Sequence, residues 1–286
     1  MATKTQTEAA IGCLYLVATP IGNLEDITLR AIRTLKEADL IACEDTRHTQ
    51  KLLQHFDIRK EMVSYHEHNE LTRSPELVIE LEQGAKIALV SDAGTPGISD
   101  PGNRLVTLCL RHHIPVVPIP GPSALIAALG ASGLPTEEFL FVGFLPARAG
   151  ARRRALDALK AEARTLIFYE APHRVVETLS DAAEILGPRP GVIAREITKV
   201  HEEFLRGPLP ELLETVRKRA PRGEITLLIG PGDPKAQQVD LGVSLKQRVE
   251  QLETQEGLDR KAALKQAARE RGLGKRDAYK QLLLER

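Results

Sequence analysis

No tryptophan occurs in this 286-residue chain, and aromatic residues make up only 3% of it. Recognition of nucleic-acid bases by an aromatic platform would therefore rest on very few side chains. Cysteine is equally scarce. Cys13, Cys43 and Cys109 are far apart and form no CxxC pair, and His112-His113 near Cys109 has no zinc spacing. The spacing offers no disulfide framework, and Cys13 and Cys43, set in apolar runs, read as buried thiols rather than metal ligands. Neither sign of charge is in excess, with Lys+Arg and Asp+Glu at 39 each. Attraction to a polyanion must then be local rather than global. No run approaches eighteen uninterrupted apolar residues, so no membrane span is expected. The polar start Met1-Ala-Thr-Lys-Thr-Gln-Thr-Glu8 lacks a basic-then-apolar signal pattern, which makes the cytoplasm the expected compartment. Also missing are a GxxxxGK[ST] phosphate loop, a strand-linked GxGxxG and a GxSxG elbow, so nucleotide-triphosphate, Rossmann-type and serine-hydrolase chemistry find no support.

What is present is a glycine-rich loop placed between a strand and a helix. In Leu89-Val-Ser-Asp-Ala-Gly-Thr-Pro-Gly-Ile-Ser-Asp-Pro-Gly102 an apolar run opens into nine residues, Gly94 to Gly102, that hold three glycines and two prolines. Such backbone lets a ligand approach closely, and Ser91, Asp92, Thr95, Ser99 and Asp100 supply hydroxyls and carboxylates beside it. Strand-like and helix-like runs alternate from residue 11 to about 230, which predicts an α/β architecture. The pattern divides into an N-terminal α/β domain over 11–120, a second α/β domain over 121–235 and a helical module over 243–286. From Val243 onward there are eleven Lys/Arg against seven Asp/Glu, and a Gly272-Leu-Gly274 break precedes the last helix. That module fits a helix–turn–helix nucleic-acid element opened by Lys275, Arg276 and Tyr279, and fits equally a solvated hairpin packed on the body or on a second subunit.

Five further polar clusters sit at predicted strand ends: Pro20-Ile-Gly-Asn23, Cys43-Glu-Asp-Thr-Arg47, Pro120-Gly-Pro-Ser-Ala124, Tyr169-Glu-Ala-Pro-His-Arg174 and Ala194-Arg-Glu-Ile-Thr-Lys199, the last followed by His201-Glu-Glu203. A structural sheet needs only turn residues there, whereas a ligand cleft draws polar groups to the carboxyl ends of its strands.

Leu16 to Ala31, Glu44-Asp-Thr-Arg47, Ser91 to Gly102, Pro120 to Ala124 and Tyr169 to Arg174 together resemble the ribosomal RNA small subunit methyltransferase I family of the tetrapyrrole-methylase-like superfamily. The resemblance spans essentially the whole chain. It implies two α/β domains with S-adenosylmethionine in the cleft between them, a homodimer, and 2′-O-methylation of a cytidine ribose in the decoding centre of 16S rRNA on the small ribosomal subunit. By position it assigns cofactor contacts to Pro20, Ala93, Gly94, Thr95, Ile98, Ser123 and Ala124, with an adenine-side wall near Glu170 and Ile197. The chain departs from tetrapyrrole relatives in carrying the charged Glu170 where an apolar residue is usual, and Gly94-Thr-Pro96 where an acid is usual.

A ribose hydroxyl needs a general base. Glu170, Glu44 and Glu196 are the candidates, with Glu170 and Lys199 the preferred catalytic pair, although either could be half of a structural ion pair. Arg47, Arg174, Lys275 and Arg276 are expected on the RNA, together with Arg152-Arg-Arg154 and the 217–222 stretch. No metal is called for. The alternatives are a corrin or porphyrin-precursor methylase and a non-catalytic rRNA-binding assembly factor.

Overall fold

The computed structural model describes residues 11–219, 221–232, 244–255, 257–270 and 273–284. The chain separates into two compact units, one ending at Pro231 and the other starting at Gly232.

The first unit holds two sheets. In the first, β1 (Cys13–Val17), β2 (Leu40–Cys43), β3 (Glu61–Ser64), β4 (Lys86–Val90) and β5 (Val116–Ile119) lie in the order β3-β2-β4-β1-β5, all parallel. Nearly every residue of β2 and β4 is buried, because helices cover both faces and leave no solvent side for alternation. On one face α1 (Leu29–Glu37) and α2 (Thr46–His55) deliver Ala31, Leu35, Leu52 and Leu53 to the core, and on the other α3 (Glu70–Glu82) and α4 (Asn103–Arg111) deliver Leu77, Leu81, Leu105 and Cys109. The helix starts follow capping chemistry: the Thr28 hydroxyl accepts from Ala31 N–H, and the Asp45 carboxylate from Arg47 N–H. Neighbouring strands β1 and β4 send their connections in opposite directions, to β2 and to β5. Their carboxyl ends therefore form the switch point at which open α/β sheets bind ligands.

The second sheet is mixed. β6 (Phe139–Phe144), β7 (Thr165–Glu170), β8 (Pro190–Arg195), β9 (Glu203–Pro208) and β10 (Ile225–Ile229) lie in the order β6-β7-β10-β8-β9. β6 and β7 are parallel, while β10 runs antiparallel to both neighbours and β9 antiparallel to β8. The helix after the first sheet, α5 (Ala124–Ser132), packs Leu125, Ala128 and Leu129 against Ile167, Val192 and Leu228 of the second sheet. The opposite face is covered by α6 (Ala149–Ala158), α7 (Val175–Leu186) and α8 (Leu209–Lys218) around Phe168, Leu179 and Leu212.

Two arginines expected on RNA serve this packing instead. Arg152 is 2% exposed, and its Nε donates to Asp181 at 2.7 Å. Arg153 bridges Asp181 at 2.8 Å and also pairs with Glu184. Apolar neighbours leave a buried guanidinium nowhere to go but a carboxylate, so these two side chains tie α6 to α7.

The second unit is three helices, α9 (Leu245–Gln255), α10 (Arg260–Glu270) and α11 (Lys275–Leu284), gathered on Leu245, Val249, Leu252, Ala263, Ala267 and Ala278. Lys275 and Arg276 open α11, and their side chains lie outside the described residues, as do most of the residues of the tether before Val243.

If Arg152 is a strut, Arg152→Ala strands Asp181 and should lower stability by about 3–5 kcal/mol in urea unfolding. Unchanged stability with weakened RNA binding would return Arg152 to the RNA surface.

Candidate active site

Three loops at the switch point are knitted by backbone. Thr19 N–H donates to the Gly94 carbonyl at 2.9 Å and Gly94 N–H to the Thr19 carbonyl at 3.0 Å, an isolated antiparallel bridge between the loops after β1 and β4. The Thr19 hydroxyl donates to the Ser91 carbonyl at 3.1 Å, and Thr95 Oγ1 donates to the Pro122 carbonyl at 3.3 Å, which brings in the loop before α5. Gly94 has φ +83°, a conformation side chains resist, so the bridge needs glycine there.

These loops form one wall of a cavity of about 460 Å³, within the usual size of a small-molecule site. Ala93, Gly94, Thr95, Ile98, Ser123 and Ala124, the residues to which the resemblance assigns the cofactor, line it, and so does Ile197 from the bend after β8. Pro20 stands next to the wall, and its neighbour Ile21 supplies the lining atoms. Ser123 is the extended residue before α5 and makes no side-chain cap. The first-turn N–H groups of α5 are thereby left for a ligand.

Other expected residues do different work. The Glu170 side chain has no exposed surface. Its carboxylate accepts from Ala171 N–H at 2.8 Å and from Thr178 Oγ1 at 2.5 Å, and Arg174 Nε lies 3.4 Å away. Glu170 lines the cavity, and these contacts also make its carboxylate a brace of the fold. Arg174, which is partly exposed, donates from Nη2 to the Leu145 carbonyl at 2.6 Å and so also serves the fold. Lys199 is not on the cavity wall. Its ammonium bridges Glu196 and Glu224, each at 3.0 Å, and its stem covers Gly22. The Glu224 N–H, with the Lys199 ammonium, holds Glu196 below the usual carboxylate range. Glu196 and Thr198 sit at φ +50° and +68°, so this brace secures a strained bend that carries Ile197 to the cavity. Arg47 is 88% exposed and pairs with Asp45 at 2.9 Å, and its hydrogen bonds hold Asp45 down to about 2. An exposed pair of that kind costs little to open.

Sequence reasoning passed over three features of the lining: Asp100 as a reactive group, Phe144, and the segment Gly223 to Thr226. Burial, with the neighbouring carboxylates Glu44 and Asp92, pushes Asp100 up to about 6. The signal for Asp100 was its place among polar residues of the glycine-rich loop. None marked Gly223 to Thr226, which enter because β10 runs antiparallel and puts its start beside the ends of β7 and β8.

Residues 13–213 match the tetrapyrrole (corrin/porphyrin) methylases, so the fold and site define a methyltransferase of that family. Solved structures show the same fold. Cobalt precorrin-4 methyltransferase superposes with a TM-score of 0.58 over 76% of this chain and 94% of that one, at 17% identity. A uroporphyrin-III C-methyltransferase from Thermus thermophilus, complexed with S-adenosylhomocysteine, gives 0.55 over 77% and 97%, at 24% identity. Sequence likeness is far stronger elsewhere. The ribosomal RNA small subunit methyltransferase I of Halalkalibacterium halodurans is 52% identical over 267 residues, covering 87% of this chain and 92% of that protein. That of Escherichia coli O157:H7 is 48% identical over 256 residues, covering 88% and 89%. Within the tetrapyrrole methylases, the chain belongs to the ribosomal RNA small subunit methyltransferase I family.

Glu170→Gln separates brace from base. Turning one acceptor oxygen into an amide leaves Thr178 or Ala171 N–H mispaired, which should cost roughly 1–3 kcal/mol in thermal unfolding while turnover of the folded enzyme stays near wild type. Lost turnover at wild-type stability would assign the base role to Glu170.

Proposed function

We propose that the chain transfers a methyl group from S-adenosylmethionine to the 2′-hydroxyl of a cytidine ribose in the decoding centre of 16S rRNA, acting on the small ribosomal subunit in the cytoplasm as a homodimer. The substrate, compartment and assembly rest on the family. The chemistry rests on one observation, a donor-sized cavity with a carboxylate on its wall that takes up a proton near neutrality.

The residues present fit the donor. Ile21, Ala124, Ala194 and Ile197 offer apolar surface for its adenine and thioether portions, and the uncapped first turn of α5 at Ser123 and Ala124 suits its carboxylate. When bound, the donor supplies a methyl group on a sulfonium sulfur that departs as a neutral thioether. The protein must align the acceptor and remove its proton. Alignment alone can supply roughly 7–11 kcal/mol.

Asp100 takes the proton in this reading. A carboxylate at about 6 is ionised at neutral pH yet basic enough to accept from a hydroxyl as the new bond forms. Lys199 acts as a positioning residue, holding Glu196 and Glu224 so that the bend beneath Ile197 keeps its shape. RNA phosphates meet the exposed Arg217, Lys218, Arg219 and Arg222, which lead directly into the lining segment Gly223 to Thr226, along with Arg47. Lys275 and Arg276 of the helical unit add further phosphate contacts. Binding should then weaken steeply with salt.

Incubation with small subunits and labelled donor, followed by mass-spectrometric mapping, should place one ribose methyl on a decoding-centre cytidine. Label in uroporphyrinogen, or none in RNA, would contradict the reading. Asp100→Asn should lower single-turnover methylation about 10²-fold or more, and the wild-type rate should rise with pH and level off above about 6. The stability sign is opposite to that of a salt-bridged acid. The folded state favours protonated Asp100, so stability falls as pH rises from the unfolded-state value through about 6, and Asp100→Asn should melt above wild type at pH 8. Full turnover by the variant would remove Asp100 from the base role.

A further inference from the structure

In a chain so poor in aromatics, Phe144 and Tyr169 line the cavity and Phe141 packs against Tyr169 behind them. Phe141 and Tyr169 meet edge to face at 5.0 Å between centroids, and Phe144 and Tyr169 at 5.8 Å with planes tilted by 59°. Phe144 lines the cavity and is still 56% exposed. A single exposed apolar side chain needs no explanation by itself. Here the backbone is altered to place it. Phe141 is opposite Ile167 and Phe144 opposite Tyr169, two residues that share a face of β7, although 141 and 144 differ in parity. In a regular strand they would point to opposite faces. The register shift between Phe141 and Gly143 inserts one residue and turns Phe144 to the cavity side. Gly143, at φ +76°, permits the insertion. A Cβ at Gly143 would lie 3.4 Å from Ser99 Oγ, so the bulge rests on the loop that carries Asp100.

We infer that Phe144 is the stacking platform for the cytosine ring of the acceptor nucleotide, splayed out of the RNA so that its ribose hydroxyl reaches Asp100. The inference rests on the RNA reading above. A ribose in folded rRNA must leave its helical neighbours to reach a carboxylate on a cavity wall, and an unstacked base is held by replacing its lost neighbour with an aromatic face. Stacking of one base on one ring is worth roughly 1–3 kcal/mol on truncation. The bulge puts such a ring on the lining of the cavity that also holds the carboxylate the ribose must reach.

The test compares wild type, Phe144→Ala and Phe144→Trp on small subunits, with S-adenosylhomocysteine affinity measured by calorimetry. Phe144→Ala should lower kcat/KM for subunits by about 5- to 150-fold. S-adenosylhomocysteine affinity and melting temperature should stay at wild-type values, and Phe144→Trp should recover most of the loss. Unchanged kcat/KM in Phe144→Ala would overturn the inference. An equal loss of S-adenosylhomocysteine affinity would overturn it too, assigning the ring to the adenine instead. No methylation of RNA by wild type would instead defeat the RNA reading itself, and the inference with it.

Discussion

Two hydrogen bonds, one in each direction between Thr19 and Gly94, hold the site together. A parallel sheet ends in separate loops, each free to wander, and nothing in strand pairing obliges the turn after β1 to meet the turn after β4. The bridge supplies that obligation, and it stands where adjacent strands send their chains apart. Through Thr19, Ser91, Thr95 and Pro122 it extends to the start of α5, which packs on the second sheet. Displacing the bridge would therefore disturb both walls of the cavity. That is why this region tolerates glycine at φ +83° and so little side-chain bulk.

The electrostatics follow from the same crowding. Asp100 and Glu44 share a half-buried neighbourhood with Asp92, and burial together with mutual repulsion raises both Glu44 and Asp100 above ordinary carboxylates. Such a cluster works against the stability of the fold, and a carboxylate held that way on a cavity wall, as Asp100 is, has the pattern of a working group rather than a packing one. The cations divide by the same criterion. Arg152, Arg153 and Arg174 are consumed by carboxylates and carbonyls inside the second lobe, whereas Arg47, Arg217 and Arg219 hold partners only in water. A neutral chain can still meet a polyanion through exposed cations of this kind, whose surface pairs cost little to open.

The alternation of strands and helices and the strand ends bearing polar clusters were legible because both depend on local pattern. Short apolar runs flanked by turn residues, such as Lys86–Val90 and Val116–Ile119, have few other ways to fold. The resemblance carried the lining residues from Ala93 to Ile98 and from Ser123 to Ala124. What stayed hidden depends on direction and parity. The antiparallel course of β10 brings in Gly223 to Thr226, and a one-residue insertion in β6 brings in Phe144. Neither leaves a compositional trace. Glu170, Arg174 and Lys199 look reactive in sequence, yet their fate turned on partners distant in the chain or hidden by burial, Thr178, Leu145 and Glu224.

Everything chemical in this account depends on the methyl donor lying in the cavity that the bridged loops enclose. A crystal structure of the protein soaked with S-adenosylhomocysteine tests this most directly. Density for the whole molecule is expected against Ile21, Gly94, Thr95, Ala124 and Ile197, with its carboxylate at the first turn of α5. Density elsewhere, with this cavity filled only by solvent, would contradict it.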